Sequence, residues 1–218
     1  MLSTLVLAAA LIGPESGFTA LFNGTDLHGW QGDTVGYQAI DDTIAVTPGV
    51  EGNSSPGFLY TTTQWDNFEL RFEFKLTPGA NNGLALRWSG KGNPAYDGME
   101  VQILDNPHPS YAKLKPYQYH GSVYGVAAAR RGCLRPTGQW NDETVICDGH
   151  RVTVILNGHV ITDVNLQEAL QQGTLDGQAH PGLGRAGGHI GFCGHGSAVA
   201  FRAIRIRPLT SPAPDTSD

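Results

Sequence analysis

The sequence predicts an all-β protein, a two-sheet β-sandwich with one minor helix. Three observations carry the prediction. Asn67 to Leu76 alternates apolar and polar residues, the period of a strand with one buried face. Arg151 to Leu156 and His159 to Thr162 flank Asn157-Gly158, a pair that accepts the positive φ angles of a type I′ turn, so the two runs read as a hairpin. Gly at 29 and Pro at 13 fall between short β-branched and aromatic runs, the punctuation of a chain of many short strands.

Taken in order, the chain starts with an apolar run, Met1 to Gly13, as long as a signal-peptide hydrophobic region and too short to span a bilayer. Residues 1–16 are therefore expected to be a signal peptide and the protein periplasmic or secreted, although no Lys or Arg precedes the run. A hairpin is expected around Asp41-Asp42, from Tyr37 to Ile40 and Thr43 to Val46. Strands follow at Gly57 to Thr61, Gly83 to Trp88, Gly98 to Leu104, Ser122 to Val126, Glu143 to Cys147, Gly188 to Cys193 and Val199 to Arg207. Asn165 to Gln171 is the one stretch that reads as helix, with Asn165 as cap. About ten strands over roughly 190 residues suit a two-sheet jelly roll, placed at 17–209. Residues 210–218 have no apolar period and read as a disordered tail. Asn106 to Gly121 and Gly173 to Gly187 are long loops, the first rich in Tyr, His and Pro and a candidate site wall.

Composition narrows the function classes. A net charge of -6 with only 14 Lys plus Arg lacks the basic footprint of a nucleic-acid binder. No membrane span is expected. Of the three cysteines, Cys133 and Cys147 suit a disulfide in an oxidising compartment, and buried free thiols suit them equally. Neither Cys-x-x-Cys nor His-Glu-x-x-His occurs, so no metal site or cofactor is expected; the Asx-rich turn from Asn23 to Asp26 lacks a regular calcium-ligand spacing.

Strand parity points to one polar face. Leu84, Leu86 and Trp88 share a side and Arg87 takes the other; Met99, Val101 and Ile103 share a side and Glu100 and Gln102 take the other. If the two strands pair, Arg87, Glu100 and Gln102 meet away from the core. Such a face is either solvated surface with ion pairs or, with Tyr and Trp nearby, a surface for sugar hydroxyls and ring faces. Asp105 lies on the opposite side of a regular strand, and one bulged residue at Ile103 or Leu104 would return it to Glu100 and Gln102. Glu-x-Gln-x-x-Asp then resembles the bulged acidic motif of laminarinase-type glycosidases, with Gln102 in place of the middle acid. His195, between Gly194 and Gly196, is displayed on a turn; His120 and Tyr124 share parity on one short strand; His108, between two prolines, reads as loop surface. Trp30 and Trp140 read as packing residues.

The runs Phe18 to Trp30, Phe68 to Phe74, Gly98 to Asp105, Gly121 to Gly125, Gly138 to Asn141, Leu156 to Gly158, Gly194 to Gly196 and Phe201 to Ile206, in this order, resemble the 3-keto-disaccharide hydrolase domain family, formerly a domain of unknown function. The resemblance implies a concanavalin- or laminin-G-like jelly roll, exported from a bacterium and acting on an oxidised oligosaccharide or glycoside. A ketone at C3 acidifies the C2 proton, so elimination of the C1 substituent followed by hydration becomes the expected chemistry. Glu100 or Asp105 is then the expected base and His195 or Tyr124 the acid, with Arg87 and Gln102 near the oxyanion and His120 contacting substrate. A carbohydrate-binding module without turnover and a laminarinase-type hydrolase are the competing expectations.

Overall fold

The computed structural model describes residues 15–49 and 57–210. Two antiparallel sheets pack face to face. The larger, of eight strands, runs β11 (His159–Asn165), β10 (Arg151–Leu156), β9 (Trp140–Asp148), β6 (Phe68–Leu76), β13 (Val199–Pro208), β4 (Thr43–Val46) and β3 (Tyr37–Ile40), with β1 (Thr19–Ala20) paired to β13. The smaller, of five, runs β2 (Trp30–Gly32), β5 (Phe58–Thr61), β12 (His189–Gly194), β7 (Asn81–Trp88) and β8 (Met99–Leu104).

The alternation in β6 does what its period demands. Phe68, Leu70, Phe72, Phe74 and Leu76 are all buried, and Phe72 meets Phe192 of the smaller sheet edge-on. Phe192 in turn stacks on Phe201 of β13, with ring centroids 3.8 Å apart, so one aromatic pair joins the two sheets. In β13 a bulge lies between Arg202 and Arg205, with Ala203 at φ 51°. It shifts parity by one residue, so that Val199 and Phe201 before it and Ile204 and Ile206 after it all face the core. Without the extra residue, one of these pairs would face solvent.

Several expectations need correction. Ser122 to Val126 forms no ladder strand; it is a turn segment laid along the free edge of β8 by Gln102 N–H to Ser122 O at 3.0 Å and Tyr124 N–H to Glu100 O at 2.8 Å. It covers an edge that would otherwise expose unpaired backbone. Helix is not confined to α2 (Leu166–Gln172), which Asn165 caps by accepting from the N–H groups of Gln167 and Glu168. A one-turn helix, α1 (Pro94–Asp97), is capped by Asn93, and short 3₁₀ turns stand at Pro109–Tyr111, Pro116–Gln118 and Pro181–Gly184. All three cysteines are free thiols, and burial pushes Cys147 up to about 12.

The signal peptide and tail expectations fall outside the described residues, apart from residues 15, 16 and 210. Glu15 belongs to the folded unit: its carboxylate bonds to Arg71 and, at 2.9 Å, to Arg205. Among the described residues no helix is long and apolar enough to cross a membrane.

Candidate functional site

Strand β8 pairs with β7 in unbroken register, Leu104 opposite Asn81 through Met99 opposite Leu86. Glu100 and Gln102 therefore point away from the core, beside Ala85 and Gly83 of the neighbouring strand. The Glu100 side chain lies flat across Gly83, where a Cβ would come within 1.9 Å of its Oε1. His195, on the turn after β12, brings Nε2 to 3.7 Å from Glu100 Oε1. The carboxylate side chain is 9% exposed and the imidazole 44%, so one partner is sheltered and the other reaches water.

These two groups border a cavity of about 260 Å³ over the β8 edge. Its walls come from α1 and its cap (Asn93, Ala95, Tyr96), from the loop after β8 (Tyr111, Leu114, Gln118, Tyr124), and from Asn81, Gln102 and Leu104 of the sheet. Each wall is anchored. Tyr111 O–H donates to Gly79 O at 2.8 Å, and Gln118 Nε2 donates to the Tyr124 oxygen at 3.0 Å. That bond uses the Tyr124 oxygen as acceptor and leaves its proton available to another partner. Gln102 Nε2 donates to Asn81 Oδ1 at 3.2 Å, while its Oε1 is buried and has no partner. Apart from Glu100 and His195 the lining is amides, phenols and apolar groups, with no Lys or Arg. That is a lining for a neutral polyhydroxyl ligand rather than an anion.

Beyond Ala85 the same sheet face is closed by a second apolar cluster, in which Trp88 covers Ala85 and Cys193 and meets Phe58 and Tyr60 edge-on. A wider apolar groove of about 440 Å³, along Val46, Leu76, Thr137 and Val199, carries few convergent polar groups and lies on other strands.

The structure thus brings Glu100, Gln102, Tyr124 and His195 together and sends three expected site residues elsewhere. The bulge proposed at Ile103 or Leu104 is absent from the β7–β8 ladder. Asp105 consequently turns from the pocket, and its carboxylate accepts from Gly79 N–H and Thr137 O–H, both at 2.8 Å. The three-group acidic motif does not form.

A bulge exists instead in β7, where Trp88 pairs with His189 but Ala85 pairs with Gly191. Arg87 is the extra residue, held at φ 49°. Parity flips there, so Trp88 joins the face of Ala85 rather than that of Leu84 and Leu86. Arg87 is buried away from the cavity and donates to Asp66 O, Gly149 O, Arg185 O and Asn67 Oδ1 at 2.8–3.3 Å.

His120 lies inside the sandwich, 1% exposed, with its ring 5.0 Å from Phe74. Its Nδ1 accepts from Leu104 N–H at 3.4 Å, and its Nε2 sits 3.0 Å from the fully buried Glu143. That contact is close but not aligned as a hydrogen bond, and neither Glu143 oxygen has another partner. His108 caps the 3₁₀ turn at Pro109, and Trp30 packs on Phe192. In the Asn23 turn, Asn23 Oδ1 accepts from the N–H groups of Thr25 and Asp26.

Sequence reasoning missed Asn81, Tyr96, Tyr111 and Gln118. The Tyr-rich loop after Asp105 was the available signal for Tyr111 and Gln118; for Asn81 and Tyr96 there was none, because strand pairing and the packing of α1 place them.

Residues 17–207 match the family described as 3-keto-alpha-glucoside-1,2-lyase-like domain. A 3-keto-disaccharide hydrolase of Bacteroides thetaiotaomicron is 28% identical over 229 residues, an alignment covering 88% of this chain and 79% of that protein. The structure of a proposed glycosyl hydrolase from Parabacteroides distasonis ATCC 8503 superposes with a TM-score of 0.75 at 26% identity, covering 88% of this chain and 99% of the other. At the level of fold alone, the exoplasmic/lumenal domain of VIP36, bound to Ca2+ and Man3GlcNAc, superposes with a TM-score of 0.55 at 13% identity over 93% of this chain and 92% of that one.

Proposed function

Because the chain belongs to the 3-keto-alpha-glucoside-1,2-lyase-like domain family, we propose that it cleaves 3-keto-glycosides in the cavity over β8, by elimination across C1 and C2 followed by hydration. One observation carries the reading: a sheltered carboxylate and a solvent-reaching imidazole, Glu100 and His195, stand 3.7 Å apart on a cavity otherwise lined by neutral hydrogen-bonding groups.

Each role follows from what the group can do. Glu100 removes the C2 proton, made acidic by the C3 ketone, and the electrons pass to the ketone oxygen as an enolate. Tyr124, whose oxygen is already bonded by Gln118, directs its O–H to that oxyanion. The enolate collapses with loss of the C1 oxygen, which takes a proton from His195, giving a 1,2-unsaturated 3-ketone and the free alcohol. Water then adds at C1, giving one proton to the now neutral His195, while the C2 proton returns from Glu100, and the product is a 3-keto sugar. Asn81 and Gln102 bind ring hydroxyls. Asp105 and Arg87 have no part in this scheme.

The experiment is incubation with a 3-keto-glucoside and with its parent glucoside. Release of alcohol from the ketone alone supports the reading, and release from the parent instead favours an ordinary glycoside hydrolase. Binding without release from either favours a carbohydrate-binding module and overturns the enzyme reading.

A further inference from the structure

Behind the cavity wall lies a buried pair that the reaction scheme does not use. His180, 4% exposed, places Nε2 3.1 Å from both oxygens of Asp176 and Nδ1 3.1 Å from the Ala95 carbonyl oxygen. Both neighbours are acceptors, so each ring nitrogen is satisfied only as an N–H donor. The Asp176 side chain is itself 7% exposed. Burial works against its charge, but the Gln178 N–H and the His180 ring outweigh this and hold its carboxyl below the usual range.

The pair is built against groups that line the cavity. The His180 ring lies 4.7 Å from that of Tyr96, tilted by 40°. From the other side Gly125 presses in: a Cβ there would lie 2.4 Å from Asp176 Oδ2 and 2.8 Å from His180 Cε1, and its carbonyl accepts from Asp176 N–H at 3.1 Å. Tyr124 immediately precedes it. One hydrogen-bonded pair therefore sits where α1, the Tyr124–Gly125 turn and the loop before β12 converge, and it backs two tyrosines of the site. Burial first, then the negative charge of Asp176, raise the Tyr96 phenol, which like any phenol is protonated at neutral pH. Exchanging such a buried pair for apolar packing of the same volume need not cost stability, so its distinctive contribution here is the geometry it holds.

We propose that Asp176 and His180 are positioning residues of the sugar site, acting through Tyr96, whose phenol they fix for hydrogen bonding to a ring hydroxyl of the substrate. The proposal rests on the reading of the cavity as a 3-keto-glycoside site and assigns Tyr96 to substrate recognition.

The test is a double-mutant cycle of Tyr96→Phe and Asp176→Asn in a Glu100→Gln background, with 3-keto-glucoside affinity read by calorimetry and folding by circular dichroism. Each single change is expected to weaken binding by about tenfold, the scale of one lost hydrogen bond. The double change is expected to be no weaker than Tyr96→Phe alone, because Asp176 acts through that phenol. Should Asp176→Asn not fold, His180→Gln takes its place in the cycle. Effects that add in full, or a melting temperature that falls while affinity holds, would overturn the proposal and leave the sugar-site reading intact. Absence of any 3-keto-glucoside binding or turnover by the unaltered protein would overturn both.

Discussion

Gly83 and Glu100 are fitted to each other across the β7–β8 ladder: the carboxylate occupies the space that any side chain at position 83 would need. The strand itself tolerates alanine at 83, whose backbone is not in the left-handed region. Gly83→Ala is therefore expected to push Glu100 from His195 while the sheet survives. A displacement near 1 Å at a reacting group costs on the order of 100-fold in rate. Steady-state kinetics on a 3-keto-glucoside, alongside a thermal melt, checks this; a variant with full activity would show that Glu100 need not lie where it does.

Glu100→Gln keeps the shape and hydrogen-bonding reach of the side chain but removes its basicity. With Glu100 as the base, kcat is expected to fall by roughly 10²–10⁴, the usual contribution of a positioned proton acceptor, while KM changes little. A carbohydrate-binding module would instead lose affinity and have no rate to lose. Rapid-quench product analysis and calorimetry on the same preparation separate the two.

How far the sequence carries is clearest at these strands. The β6 alternation, the Asn157-Gly158 hairpin and the outward parity of Glu100 and Gln102 are local patterns, and each is legible because one strand's period decides it. The Arg87 bulge is different in kind. It arises from the pairing of β7 with β12, and no residue type near 87 announces an extra position. His120 misleads for a similar reason: sharing parity with Tyr124 it reads as a substrate contact, yet the cover segment over β8 carries it under Leu104 and onto Phe74. Tyr96 enters the site only because α1 docks on the turn at Pro181–Gly184, contact between segments far apart in the chain.

Arg87 itself offers a test of that correction. Its guanidinium donates to three backbone carbonyls and Asn67, tying the segments around residues 66, 149 and 185 to the end of β7. Arg87→Gln strands several buried acceptors, and a loss of about 3 kcal/mol in unfolding free energy is expected from urea titration. In the protein that remains folded, kcat is expected to stay near that of the unaltered protein. A large drop in kcat with an unchanged urea midpoint would return Arg87 to the site.

Acid should act first on the outer face of the larger sheet. Arg71 stands directly opposite Arg205 and Glu69 opposite Arg207, and Glu69 bonds to both Arg71 and Arg207. Burial disfavours the Glu69 charge, but hydrogen bonds and charges from the two arginines outweigh it and lower its carboxyl below the usual range. A carboxyl lowered on folding adds stability in full above its unfolded value, near 4.5, and loses it as pH falls through the folded value. Glu69→Gln should therefore be less stable than the unaltered protein at pH 7, and the gap should narrow as pH drops below about 4. Urea midpoints at pH 7 and pH 3 measure it, and a gap of constant size would mean that the carboxylate charge contributes nothing to the fold.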